Sequence, residues 1–461
     1  MDSTTKPFFG RQNFVREIVQ GILADYPQDY ALVAPKFCGK TRILDYLAAE
    51  EGPLRGRRDS SLRPERFRDP SRIIIVSADC KRPEIKEKLR EYLAEELSAR
   101  LHQEQPFLID WDQVPEDVSP SRRLLELASQ ASRAEFRVVF LLNNFDAVLE
   151  GPYLTQDQLN ELRPLTSELA LVVGSRQPLY DINIQLASSS LFNVMSTQFV
   201  GLLEPEAAVE WIASYRTVFP ELSPELTEPL ARITGRHPFL LARLRETLLE
   251  VRKMLPAGEP LDMAEFELIT LRLAEHGQLL FATLDQTLQT PPSRAPQAAV
   301  HELLSKMIDG PLPQAEVAPE QKAAVSWLIN QAVVTYEDRT YRLFTPLFAD
   351  FLRQRSPARE GRRGIPPAID ADLAPLHDDA SLPRIEAELL RYLSQRAGEV
   401  VPSSELLVAV WKLPATTSDR RVQEAIRRLR NHLKTQTPPI GVIDNERGQG
   451  YRFIPVRETE T

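Results

Sequence analysis

Eight consecutive residues, Ala34-Pro35-Lys36-Phe37-Cys38-Gly39-Lys40-Thr41, have the types and spacing of a phosphate cradle. They follow the apolar run Ala31-Leu32-Val33-Ala34 and precede a helix start at Ile43-Leu44. The pattern is G-x-x-x-x-G-K-[ST] with alanine in place of the first glycine. Such a cradle needs backbone N–H groups wrapped around phosphate oxygens at a helix N-terminus. Gly39 supplies the permissive backbone. Lys40 would reach the β- and γ-phosphates of a nucleotide, and the Thr41 hydroxyl would ligate Mg²⁺. Lys36, Gly39, Lys40, Thr41 and Arg42 are the candidate contacts to ATP or ADP. The alternative is a turn that contains Gly-Lys-Thr by chance.

Phosphoryl transfer also asks for an acidic pair at the end of another strand, to hold the metal and polarise water. The strand Val138-Val139-Phe140-Leu141-Leu142 is present, but it ends Asn143-Asn144-Phe145-Asp146. An amide oxygen can accept a hydrogen bond from a water in the metal's shell. It offers neither a base nor a negative charge. The expectation is nucleotide binding with weak or absent hydrolysis, so enzyme activity stays open. Asp146 either compensates or simply caps the next helix.

A second chemistry lies near the C-terminus. From about Ser418, with Asp419 at the positive end of the helix dipole, a helix carries Val422, Ala425, Ile426, Leu429 and Leu433 on one face. Arg420, Arg421, Gln423, Arg427, Arg428, Arg430, Asn431 and Lys434 fall on the other. Pro438-Pro439 then leads to Ile440-Gly441-Val442-Ile443, a turn at Asp444-Asn445, and Arg447-Gly448-Gln449-Gly450-Tyr451, whose two glycines allow a tight hairpin with Arg447 at its tip. A guanidinium-rich helix face beside a basic hairpin suits a major groove and its adjacent backbone. The alternative is a solvated charged face.

Both features need elements to hold them. In the first 200 residues, apolar runs at Ala31–Ala34, Ile73–Val76, Val138–Leu142 and Leu171–Val173 alternate with helical patterns. Continuous rather than alternating runs suit strands covered on both faces, hence a parallel α/β sheet. One amphipathic helix is expected over Ile85, Leu89, Tyr92, Leu93, Leu97 and Leu101. From about Glu204 the strand signal gives way to helices, broken at Phe219-Pro220-Glu221 and Arg236-His237-Pro238, until a hairpin over Val333–Leu343. Arg355 to Pro375, rich in proline and glycine with few apolar anchors, reads as a linker. Two helices, one through Leu382, Ile385, Leu389, Tyr392 and Leu393 and one through Leu406, Ala409, Val410 and Trp411, precede the basic helix.

Composition limits the rest. The 461 residues carry 56 Lys+Arg against 65 Asp+Glu, net −9, which excludes a uniformly basic nucleic-acid binder. Residues 383–457 nevertheless hold 13 basic and eight acidic residues, net +5, leaving −14 elsewhere. Two cysteines, Cys38 and Cys80, exclude a disulfide framework and a four-thiolate zinc site. No apolar leader or membrane-length run is seen, so a cytoplasmic protein with no membrane partner is expected. The lone histidines show no metal spacing.

The first 355 residues resemble the STAND branch of AAA-like P-loop ATPases. The resemblance is carried by Pro7-Phe8-Phe9-Gly10-Arg11, the phosphate loop, the strand ending at Asn143, Val172-Val173-Gly174-Ser175-Arg176, and Gly235-Arg236-His237-Pro238. It implies nucleotide contact by Arg11, Asn143, Asp146, Arg176 (at the γ-phosphate) and Pro238 (beside adenine); a surface arginine and a helix-breaking turn are the plain readings of the last two. It also implies an order of domains: a P-loop α/β domain at 1–203, a helical lid at 204–260 and a middle winged helix at 261–355. After a linker at 356–379, residues 380–457 resemble the OmpR/PhoB-type winged helix-turn-helix of bacterial response regulators, through Leu406 to Trp411, Val422/Ile426/Leu429/Arg430, and Arg447-Gly448-x-Gly450-Tyr451. That implies contact with double-stranded DNA by Arg421, Gln423, Arg427, Arg428, Asn431 and Arg447, with Arg420 and Lys434 on the same surface. The phosphoacceptor receiver domain of that family is absent, and the nucleotide module would serve as input. The combined expectation is a multidomain α/β plus α protein, a nucleotide-responsive DNA-binding transcriptional regulator. The alternatives are a signalling or defence scaffold that homo-oligomerises on meeting a sensor partner, and an active ATPase.

Overall fold

A computed structural model describes residues 7–56, 60–114, 118–256, 258–355, 384–394, 396, 400–410, 420–435, 441–446 and 450–455. The chain divides into two compact units, Met1–Arg355 and Ser356–Thr461.

The first unit is organised by a five-stranded parallel sheet. Its strands are β1 (Asp29–Val33), β2 (Ile73–Asp79), β3 (Arg137–Asn143), β4 (Leu169–Ser175) and β5 (Met195–Phe199), in the spatial order β2-β3-β4-β1-β5. Four of them sit where the apolar runs lie. The two-residue repeat of a strand splits these runs between two cores. Val138, Phe140 and Leu142 enter one apolar cluster, while Val139 and Leu141 enter another. Asp29, at the start of β1, is buried and accepts the Leu171 N–H (2.7 Å) across to β4. Helix α1 (Gln12–Ile22) and helix α2 (Lys40–Ala48) flank β1 in sequence. The single helix expected over 85–101 is two, Pro83–Glu87 and Leu89–Glu104, with the chain turning out of helical conformation at Lys88.

Between residues 203 and 355 the described elements are helical, apart from a small antiparallel sheet of β6 (Leu312–Pro313), β7 (Val334–Glu337) and β8 (Thr340–Leu343), in the order β6-β8-β7. β7 and β8 form the hairpin that the sequence suggests. One continuous apolar cluster runs from Leu203 to Leu352, so the segments at 204–260 and 261–355 share a core. They are also stitched by polar contact. The Thr345 hydroxyl donates to Ile233 O (2.5 Å). Gly235, left-handed at φ 57°, ends its helix where an added Cβ would run into the Phe344 carbonyl.

The second unit has three described helices, Arg384–Ser394, Ser403–Ala409 and Arg420–Thr435, and an antiparallel hairpin of β9 (Gly441–Glu446) and β10 (Gly450–Pro455). Asp444 and Asn445, expected as its turn, lie instead within β9, paired with Arg452 and Tyr451. Leu389, Leu393, Leu406, Val422, Ile426, Leu429, Leu433, Ile443 and Phe453 close its core. Val401 and Tyr451 exchange two backbone hydrogen bonds of 2.9 Å. Gly450 permits that approach, because a Cβ there would strike Val401 O. The proposed linker, and with it Trp411, Ser418, Asp419, Pro438 and Pro439, lies outside the described residues, except Arg355, which ends the helix Pro346–Arg355.

Candidate functional site

The phosphate loop leaves the C-terminal end of β1 and enters α2, the arrangement its chemistry requires. Gly39 is the residue before α2 and is left-handed, φ 89°. Its missing side chain also admits Arg11, whose Nη1 would stand 2.9 Å from a Cβ. Ile43 is the first amide to close back onto the loop, donating to Gly39 O (3.1 Å). The amides before it begin a helix and have no intrahelical acceptor. Lys40 is buried, and its ammonium donates to Ala34 O and to Pro35 O (3.0 Å), drawing the loop around itself. Burial pushes its pKa down to about 8. Lys36 and Arg42 flank it.

The strand order puts β4 between β1 and β3, and Asn143 comes out opposite the loop. Its Nδ2 donates to Thr41 Oγ1 (3.0 Å), and the Thr41 hydroxyl lies 3.3 Å from Asn143 Oδ1. Asn144, left-handed at φ 54°, donates from Nδ2 to Asp79 Oδ1 (2.8 Å) at the end of β2. Asp146 is buried in the first turn of the short helix Asp146–Leu149, but its side chain caps nothing, which corrects the capping alternative. One oxygen is held by Arg176 and the other, Oδ1, is buried without a hydrogen-bond partner. Arg176, directly after β4, divides its guanidinium between Asp146 and Glu150. Among the described residues no group of three or more His, Cys, Asp or Glu is arranged to hold a metal ion.

Arg11 is buried behind the loop. Its Nη2 donates to Cys38 O and to Gly201 O, both at 2.7 Å, and its own N–H donates to Glu204 Oε2 (2.9 Å). Burial lowers its pKa. It braces the loop's backbone from beneath. Next to it His237, fully buried, accepts the Phe239 N–H at Nδ1 (3.2 Å). Burial keeps this imidazole neutral, with a pKa down to about 3. A neutral ring that accepts at Nδ1 carries its proton on Nε2, so Nε2–H points at Cys38 Sγ, 3.6 Å away. Pro238 is the first residue of the helix Pro238–Met254, and Phe239 packs on Phe37 with centroids 4.8 Å apart. The loop is therefore gripped by Arg11 near the N-terminus and by His237 and Phe239 two hundred residues later. The sequence places Cys38 in the loop and His237 in the Gly235-Arg236-His237-Pro238 turn, with His237 read as structural or exposed, but gives no sign that the two meet or that Phe239 packs on the loop.

In the second unit the basic helix Arg420–Thr435 buries Val422, Ala425, Ile426, Leu429 and Leu433 as its spacing requires. Gln423, Arg427 and Arg428 are exposed. Arg420, Arg421, Asn431 and Lys434 are placed on this helix by its backbone, and Arg447 lies outside the described residues. Arg427 donates to Glu424 through Nη2 (2.7 Å) and Nε (3.2 Å). Arg428 reaches both Glu424 (3.5 Å) and the buried Glu386 (3.2 Å) of the first helix. Arg430 departs from the outward face expected of it. Its Nε donates to Ile443 O (2.8 Å) and its guanidinium lies over Tyr451, so it ties the helix to the hairpin. No helix among the described residues is long and apolar enough to cross a membrane.

Residues 377–453 match the family described as "Transcriptional regulatory protein, C terminal". The transcriptional regulatory protein HprR of Escherichia coli (strain K12) is 37% identical over 79 residues, 17% of this chain and 34% of that protein. The chain thus spans about a third of the length of the curated relative it matches. Among solved structures, the Walker-type ATPase PABY2304 of Pyrococcus abyssi is 16% identical, with 75% of this chain and 96% of that chain covered and a TM-score of 0.46. The ORC1 protein of Aeropyrum pernix, solved in complex with DNA, is 16% identical over 77% of this chain and 95% of its own, with a TM-score of 0.36. Residues 377–453 are thus similar to the C-terminal domain of transcriptional regulatory proteins, and they follow in sequence an α/β unit with a five-stranded parallel sheet.

Proposed function

We propose that this chain is a nucleotide-responsive transcriptional regulator that binds duplex DNA through its C-terminal unit. The observation that carries the reading is the helix Arg420–Thr435, apolar against the core and basic outside, braced on a hairpin by Arg430, within the segment that matches the regulator family. Arg420, Arg421, Gln423, Arg427, Arg428, Asn431, Lys434 and Arg447 are the residues assigned to DNA. Phosphate neutralisation by such residues releases counterions, so affinity falls steeply with salt.

The first unit is assigned to ATP or ADP. A left-handed Gly39 at the start of α2, a buried Lys40 wrapped by the loop, and Thr41 facing the strand end all suit a nucleotide's phosphates. Lys36, Lys40 and the amides of the first turn of α2 would hold the phosphates, and Thr41 would take the Mg²⁺ that accompanies them. When bound, the nucleotide and its metal supply the charge that sets the loop's conformation. Asn143 orients the Thr41 hydroxyl but cannot take a proton from water, and Asp146 is engaged by Arg176. Binding with weak or no turnover follows. Because His237 and Phe239 touch Cys38 and Phe37, a change in the loop is felt at the start of the helix Pro238–Met254.

Electrophoretic mobility shifts of the full chain on duplex DNA across a salt series test the DNA assignment. A log–log slope of about −0.9 per phosphate contacted is expected, and a flat response removes the assignment. Calorimetry with ADP and with a non-hydrolysable ATP analogue tests the other. Lys40→Ala should weaken binding at least about tenfold, as loss of a charge-assisted contact implies; equal affinity in variant and parent overturns it.

A further inference from the structure

We propose that Glu424 sets the base preference of the DNA reader, accepting from a cytosine amine while Arg427 donates to guanine; the inference rests on reading the basic helix as that reader. Glu424 is the one acidic residue between Arg420 and Thr435. It sits three residues before Arg427 and four before Arg428, on the face turned from the core, with its side chain 45% exposed. Both its oxygens are engaged by Arg427, one by Nη2 at 2.7 Å and the other by Nε at 3.2 Å, and Arg428 Nε stands 3.5 Å away.

A carboxylate in the middle of a face offered to a polyanion works against affinity. A helix shaped only for gripping phosphates would do better without it. The geometry gives it two effects. It holds two guanidiniums that would otherwise meet phosphates at any sequence. It also brings an acceptor to the groove, and an acceptor facing another acceptor is disfavoured. In the major groove the cytosine N4 amine is a donor matched to Glu, and guanine O6 and N7 are acceptors matched to Arg. The Glu424–Arg427 pair uses Nε and Nη2, which leaves Nη1 of Arg427 as its guanine-facing edge. A G·C pair, or a step carrying both bases, satisfies the two side chains together. A thymine O4 opposite Glu424 sets acceptor against acceptor, with no donor from the base.

The test is selection from a pool of randomised duplexes with the full chain, comparing the parent with Glu424→Gln and Glu424→Ala. Salt series on bulk random-sequence duplex run alongside. The parent is expected to enrich cytosine at one position of its site. Glu424→Gln should move that preference to adenine, whose N6/N7 edge glutamine matches. Glu424→Ala should lose the preference there, bind random duplex about tenfold tighter, and steepen the salt slope by about one as a guanidinium is released to a phosphate. Enriched sequences and random-duplex affinity unchanged in both variants overturn the inference while leaving the DNA assignment standing. A parent that binds no duplex in dilute salt overturns both. Glu424 lies outside the core built by Val422 and Ile426, so melting curves of the three proteins should coincide.

Discussion

Lys40 joins two properties that pull apart: it is buried, and it must be charged to meet a phosphate. Burial lowers its pKa to about 8 from the usual 10.5. In the free protein the ammonium is therefore about nine-tenths protonated at pH 7, about half at pH 8, and progressively lost above that. A nucleotide's phosphates are already fully ionised there, so they add no slope of their own. Binding that requires the ammonium must take up a proton above pH 8. The affinity for ADP should then fall by up to about tenfold per pH unit between pH 8.5 and 9.5, as one linked proton dictates. Calorimetry in buffers of differing ionisation heat measures that uptake directly. Lys40→Arg keeps its charge over this range and should give a flat profile if it binds. A parent whose affinity does not change from pH 7.5 to 9.5 shows that Lys40 does not carry the phosphate.

At the scale of elements, the fold rests on tight joints where backbones meet. Gly235 is the clearest. It combines a left-handed φ of 57° with a Cβ direction that leads into the Phe344 carbonyl. A side chain there costs about 1–2 kcal/mol for the backbone conformation alone, and backbone atoms cannot give way as a flexible side chain can. Gly235→Ala should lower unfolding free energy by more than about 2 kcal/mol, read from urea midpoints. Gly201→Ala is the control, since a Cβ there meets nothing within 4 Å; a similar loss in both variants would sink the argument. The strands were legible because β1 to β4 are covered on both faces and read as unbroken apolar runs. β5 was not, because Met195-Ser196-Thr197-Gln198-Phe199 is a half-exposed edge strand whose polar centre carries no such run. The phosphate loop, its strand end at Asn143 and the apolar face of the basic helix follow local spacing, so sequence alone shows them. The grip on Cys38 by Arg11 and His237 joins residues 27 and 199 positions apart. Arg430 turning back to Ile443 depends on where the hairpin lies. No local pattern encodes such contacts; folding creates them.

For the whole molecule the question is whether the two chemistries are coupled. A net +5 over residues 383–457 against −14 over the rest puts the positive charge that suits DNA in one part, while the proposed nucleotide loop lies in the other. If nucleotide in the phosphate loop changes the affinity for DNA by some factor, thermodynamic linkage requires DNA to change the affinity for nucleotide by the same factor. Regulation by this route implies a factor of about 5–150. Four dissociation constants at one salt concentration decide it: DNA with and without saturating ADP, and ADP with and without saturating duplex. The two ratios should agree and differ from one. His237→Ala then separates coupling from binding. It removes the Nε2–H contact to Cys38 and the Nδ1 acceptor for Phe239, but no group assigned to phosphate or DNA. The ratio should move toward one while DNA affinity without nucleotide stays at the parent value. Ratios of one in the parent mean that the loop and the basic helix act independently, and that the nucleotide serves only the unit that holds it. A ratio unaffected by His237→Ala means that the signal leaves the loop by another contact, for which Arg11, bonded to Cys38 O and Gly201 O, is the next residue to change.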